Sequence, residues 1–403
     1  MRSTFFLAFV FIAFILPAQN TIQWRNDRTG IYNEKDLLKS WPADGPQLLW
    51  HYTGIGEGHS SVAIDVNKIY ATGMTGSTGH LYVFDMNGKL LNNKEYGTEW
   101  NRSHNGSRGT VTINEGKLYI FSGTGNLICM NQNTLDILWQ KNIETDFEGK
   151  NIMWGVNESP LIINEKVILT AGGKEHNVVA LNKKDGSLIW SCPGEGDLSA
   201  YCSPLFISDQ QVPQIVTMMA SNIIGIEVAT GKKLWSYKYE NFRKIHPNTP
   251  IYENNMLLCT SGYKKGSVML RLIDGGRNVE KVWESLDLET KHGGVVKIGN
   301  YVYGSGDENS RSWFCLDWKT GETKYEDNSF GKGVTIAADG MLYCYSENKR
   351  EIALVKATPE KFDLISKFPV TLGNGENHWA HPVINKGVLY VRFGDTLMAY
   401  KIK

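Results

Sequence analysis

The sequence has no excess of either charge, no two cysteines side by side, and no apolar run of bilayer-spanning length. Lysine plus arginine equals aspartate plus glutamate at 42 each, so no whole-molecule field draws the chain to nucleic acid or to an anionic membrane surface. The six cysteines follow no repeating spacing, which argues against a cystine framework; only Cys192 and Cys202, flanking a short loop between two strand-like runs, are placed to pair, and that question stays open. Cys129, Cys259, Cys315 and Cys344 sit inside apolar runs, where a thiol acts as a small hydrophobe. No His-x-x-x-His pair offers a local metal site. No Ser, His and Asp stand at recognisable triad spacing, and the glycine-rich stretch from Gly73 to Gly79 has no helix after it to cradle a phosphate.

What the chain does contain begins at its first residues. Arg2, the apolar run Phe5 to Ile15 and the small residue Ala18 before Gln19 read as a secretory signal peptide. The apolar run is shorter than the roughly 20 residues of a membrane span, so no span is expected after cleavage, and the compartment is periplasmic or extracellular. The chain divides into a signal peptide (1–18), a lead-in segment (19–44) and one domain (45–403). Glycine, tryptophan and tyrosine are plentiful, at 41, 12 and 18, which favours short strands joined by tight turns over long helices.

Along the mature chain a unit of about 45 residues repeats. Its turn-and-tryptophan segment is clearest in Leu181 to Trp190 and Ile226 to Trp235, each a strand, a turn with Gly, and a strand bearing Trp. Weaker copies run from Asn131 to Trp139, where Leu135 replaces Gly, from Asp317 to Tyr325, where Tyr replaces Trp, and through Asp85 to Gly88, which lacks the aromatic. The unit's second strand begins at Lys68, Lys117, Lys166, Gln214, Met256, Tyr301, Met341 and Val388, giving eight units. Runs apolar on both faces suit sheets packed face to face around an axis. The last unit supplies three strands within residues 382–402, and Pro46 to His51 reads as its outer strand, so pairing the two ends closes the ring and removes both sheet edges. The expected fold is an all-β, eight-bladed propeller of four-stranded antiparallel blades, closed by the N-terminal strand and acting as a monomer.

Trp139, Trp190, Trp235 and Trp283, with the glycine turns before them, resemble the tryptophan-docking repeat of the quinoprotein alcohol dehydrogenases and their relatives. The lead-in Trp24 to Tyr32, followed by Leu37-Leu38, Trp41-Pro42 and Gly45-Pro46, resembles the opening of exported bacterial members of this pyrroloquinoline-quinone (PQQ) repeat family. Such a repeat carries fold more specifically than activity.

Function in a propeller gathers on the face that carries the inter-blade loops. Here these loops hold His59, Arg108, Trp154, Asn157, Glu158, Tyr201, His246, His292, Lys332, Trp379 and His381, the candidate lining of one mouth for a small polar ligand such as a sugar or small acid. Blander readings compete: Trp154 and Trp379 as plugs of the axis, Glu158 and Arg108 as an inter-blade ion pair. His246, His292 and His381 precede inner strands at similar positions, so they are candidates to converge as a metal site or an acid–base pair. The quinoprotein resemblance implies PQQ with calcium, for which Asn157 and Glu158 are the candidate calcium ligands and Asp307 the candidate base. It also implies a ring of adjacent cysteines, which this sequence lacks. A further relative of this fold, the propeller of outer-membrane protein assembly, implies a scaffold that binds partner loops.

Overall fold

The computed structural model describes residues 21–375 and 377–403; the signal-peptide reading and Glu376 lie outside them. Eight antiparallel sheets stand in a ring, and the fold is an eight-bladed β-propeller. The inner strands of blades 1 to 8 are Ala63–Asp65, Thr112–Asn114, Leu161–Ile163, Leu205–Ile207, Ile251–Glu253, Val295–Ile298, Gly333–Ala338 and Val383–Asn385. Among the described residues no helix is long and apolar enough to cross a membrane.

Each second strand is buried on both faces because neighbouring blades cover it. Tyr119 and Phe121 of blade 2, for example, pack in one cluster with Val167 and Leu169 of blade 3. At about 25 cal/mol per Å² of apolar surface removed from water, such inter-blade contacts are the main stabilising term. All six cysteines are buried and free, Cys192 and Cys202 included.

The last blade takes its outer strand, Leu48–Thr53, from the start of the ring; it pairs antiparallel with Thr396–Lys401. Each outer strand carries a one-residue bulge, and the residue just past it is Trp50, Trp139, Trp190, Trp235 or Trp283 in five blades. The bulge turns the indole toward the next blade, where its Nε1 donates to a turn carbonyl: Trp139 to Lys183, Trp190 to Val228, Trp283 to Trp318 and Trp50 to Met86. The turn's glycine lies flat against the ring; a Cβ on Gly231 would come 2.6 Å from Trp190, and one on Gly88 2.4 Å from Trp50. Trp235 uses a relay, donating to Gln214 Oε1 while Gln214 Nε2 donates to Gly276.

The degenerate copies are therefore coupled between neighbours. Asn92 occupies the tryptophan position of blade 1, and the following turn replaces glycine with the buried Leu135 at φ 60°. In blade 7 the position is Ser366. There the lead-in supplies Trp41, whose backbone N–H donates to Ser366 Oγ and whose ring packs on Tyr343 and Phe368.

The lead-in runs through the ring. Thr21 bridges to Ile64 of blade 1, and Ile113 of blade 2 donates to the Ile22 carbonyl. Ile31–Tyr32 adds a parallel strand to Ala337 and Ala338 of blade 7, and the Glu34 carboxylate accepts from the backbone N–H groups of Lys386 and Gly387 in blade 8. Between these anchors Arg25, Asn26, Asp27 and Arg28 all have positive φ, from 40° to 67°. A left-handed turn of non-glycine residues costs about 1–2 kcal/mol per residue. The two arginines offset it: Arg25 donates to the carbonyls of Thr335 and Val295, and Arg28 to those of Ser159 and Pro160. The lead-in thus ties blades 1, 2, 3, 6, 7 and 8 together.

Candidate functional site

The segments that precede the eight inner strands surround a cavity of about 270 Å³. Each blade is wedge-shaped, so the chain entering its inner strand must pass close to the axis, and every inter-blade segment supplies a lining residue. Arg108, Asn157, Tyr201, Lys332, His381 and their counterparts face one volume in this way, with Trp24 of the lead-in joining them.

One wall is aromatic. The Trp379 indole stacks on His292 at 4.6 Å between centroids, with His59 at 4.9 Å and His104 at 5.1 Å on its other sides. His104 also stands edge-on to Trp154 at 6.2 Å, and the Trp154 backbone N–H donates to Tyr201 Oη. Trp24 meets His381 edge-on at 5.4 Å.

A second wall is ionic. Lys332 bridges Asp307 at 2.5 Å and Glu347 at 2.8 Å, while Lys291 bridges Asp307 at 2.7 Å and Glu308 at 3.0 Å. Burial by itself raises the Asp307 carboxyl, but the two ammonium groups outweigh it and hold the group below its usual range. Trp379 Nε1 donates to Glu347 Oε1 at 3.0 Å, tying the aromatic wall to the ionic one.

His59, His292 and His381 are held neutral at pH 7. Burial lowers His59 to about 3, helped by the charges of Arg108 and Arg392, and lowers His292 to about 4. Burial and then Arg25 push His381 well below its ordinary value. Arginine only donates, so the 2.7 Å contact from Arg25 to His381 Nδ1 puts the imidazole proton on Nε2, which donates to the His292 carbonyl.

Of the residues singled out from the sequence, His59, Arg108, Trp154, Asn157, Tyr201, His292, Lys332, Trp379 and His381 line the cavity, and Glu158 and His246 do not. Glu158 is buried behind the wall, where its carboxylate accepts from the Thr170 backbone N–H at 2.9 Å and from the Thr170 hydroxyl. Burial raises it to about 7, against those bonds and the charge of Arg28. The Glu158–Arg108 ion pair does not form; the Arg108 guanidinium donates instead to the carbonyls of Ser103 at 2.9 Å and His104 at 2.6 Å. His246 is sealed between blades 4 and 5, its Nε2 donating to Ala220 O and its Nδ1 paired with Ser261 Oγ. The three histidines therefore do not converge. Only His292 and His381 meet, through the backbone.

The lining residues not singled out include Trp24, Tyr263 and Glu347. Tyr263 and Glu347 follow the second strands of blades 5 and 7, on the same face as the inter-blade loops, so topology pointed to them. Nothing local placed Trp24 there, because the path of the lead-in is a tertiary fact.

The donor set does not suit PQQ with calcium. Glu158 is turned to Thr170 and away from the cavity, and both Asp307 oxygens are held by lysines. Among the described residues no group of three or more His, Cys, Asp or Glu side chains is placed to hold a metal ion.

Solved structures with this architecture include BamB from Moraxella catarrhalis, 13% identical with a TM-score of 0.65 over 89% of this chain and 100% of that one. A quinohemoprotein alcohol dehydrogenase from Comamonas testosteroni is 12% identical with a TM-score of 0.66, over 95% of this chain and 80% of that one. A europium-containing methanol dehydrogenase is 11% identical with a TM-score of 0.61, over 93% and 89%. At such identity the likeness is one of fold. No curated protein matches the chain in sequence. The PQQ_2 family model, described as outer membrane protein assembly factor BamB, matches residues 77–327, more than half of the sequence, and the chain belongs to that family.

Proposed function

We propose that the protein is an exported propeller that binds a small polar, carbohydrate-related ligand in the mouth on its axis. The observation that carries this reading is the union, in one cavity of about 270 Å³, of a stacked aromatic wall with an ordered ionic wall joined by the Trp379–Glu347 hydrogen bond. Aromatic faces suit the apolar faces of sugar rings, and fixed polar groups set orientation. A panel of monosaccharides and small acids, screened by ligand-observed NMR, tests it: binding lost in Trp379→Ala is expected, and no binding by any member sinks it.

The rival reading is a scaffold, supported by the family match to an outer-membrane assembly factor. It calls for a partner protein on the propeller surface and leaves the small-molecule screen empty. Immobilised mature protein would then retain an outer-membrane assembly component from a detergent extract.

A further inference from the structure

Three arginines around the mouth carry charge without a carboxylate partner. Arg108 lines the cavity and makes only the two carbonyl bonds from Nη2, its Nε being buried with no partner. Arg25, under the mouth, is fully engaged by carbonyls and the His381 imidazole. Arg392 is held by the carbonyls of Gly56, Thr72 and Gly394 and by Ser60. None of the three is in an ion pair among the described residues. The two lysines of the cavity are different, since Asp307, Glu308 and Glu347 already neutralise them.

Of the three only Arg108 lines the cavity; the buried Glu99 carboxyl acts on it through space and makes no hydrogen bond or ion pair to it, so its guanidinium stays open to a further anion inside a low-dielectric ring where charge is weakly screened. The depression of His59, in which the charges of Arg108 and Arg392 take part, reports the same field. Desolvating an arginine is expensive unless an anion compensates. Arg25 and Arg392 are saturated by carbonyls, whereas Arg108 keeps donor capacity and lines the same cavity as His104, Trp154 and Trp379.

Resting on the reading of the mouth as a ligand site, we propose that its ligand is an acidic monosaccharide, whose carboxylate is received by the Arg108 guanidinium and whose ring lies on the Trp154–Trp379 wall. The planar fork of arginine matches a carboxylate, and a charge-assisted pair is roughly twice as strong as a neutral hydrogen bond.

The experiment titrates the mature protein with D-glucuronate and D-galacturonate, with the neutral D-glucose and D-galactose, and with benzoate as a ring-bearing acid that is not a sugar, using calorimetry. The uronates are expected to bind about tenfold or more tighter than the neutral sugars. Arg108→Gln should abolish that preference, weakening the uronates about tenfold more than the neutral sugars, and Arg108→Lys should restore part of it. Added NaCl should weaken the uronates alone in the wild-type protein, a readout that holds even if the variant fails to fold. Equal binding of acidic and neutral sugars overturns the carboxylate assignment and leaves the ligand site standing. Benzoate binding without the uronates overturns the sugar assignment, and binding of none overturns both this inference and the reading beneath it.

Discussion

The Trp50 indole donates its N–H to the Met86 carbonyl at 3.0 Å, and Gly88 of the same turn lies flat against its ring. This lock joins blade 8 to blade 1 with the parts that join blade 2 to 3, 3 to 4 and 5 to 6, so ring closure reuses the ordinary inter-blade contact.

Gly88 and Gly116 separate the steric and conformational parts of such a position. Both have positive φ, 80° and 75°, but a Cβ on Gly116 meets nothing within 4 Å. Gly116→Ala is expected to cost about 1–2 kcal/mol from φ alone. Gly88→Ala should cost about 2–4 kcal/mol because the Trp50 ring must also move. Chemical denaturation of both variants checks the difference, and equal midpoints would refute the lock.

Arg25 holds the lead-in across the axis. Arg25→Gln keeps a polar head but cannot reach Val295 O, Thr335 O and His381 Nδ1 together, so buried carbonyls lose donors at about 1–3 kcal/mol each. Amide exchange should speed up at residues 21–32 and at the inner strands of blades 6 and 7, while blade 4 stays protected.

Acid should destabilise the protein through its buried histidines. His59, His246 and His292 are lowered to about 3, 4 and 4, chiefly by burial. Below the unfolded value of about 6.5, the unfolded imidazoles take up protons that the folded ones refuse. Stability is therefore full above that value and falls by about 1.4 kcal/mol per pH unit per histidine as pH drops toward 4. Glu158, raised to about 7, works the other way, gaining stability as pH falls from 7 toward the unfolded carboxyl value, and cancels only one histidine. Urea midpoints from pH 7 to pH 4 should fall, and His246→Gln should make the slope shallower.

Calcium with PQQ should produce no quinone absorbance and no shift in melting temperature, because Glu158 is engaged by Thr170 behind the wall. A bound-quinone spectrum that disappears in Glu158→Gln would refute this.

The repeat, the blade count and the closing strand were all legible, because they depend on local patterns: strand, turn, glycine and tryptophan at fixed offsets. The loop face was legible too, since the order of strands decides which loops share a side. His246 and Glu158 show the limit. Both stand in the same loops as residues that reach the cavity, but Ser261 and Ala220 capture the histidine and Thr170 captures the carboxylate. Whether a side chain turns inward or back into its blade depends on partners far away in the chain, which no local pattern encodes.

The sequence alone determined the ring, since strands apolar on both faces and the glycine–tryptophan pairing admit few other ways to cover so many sheet faces. Only the tertiary structure decided what fills the axis. Arg25 and Arg28 look like exposed charges in a polar lead-in, yet they bond to carbonyls of blades 3, 6 and 7. Inner-strand carbonyls facing an axis have no sheet partner there, and a guanidinium threaded through the ring supplies the donors they lack.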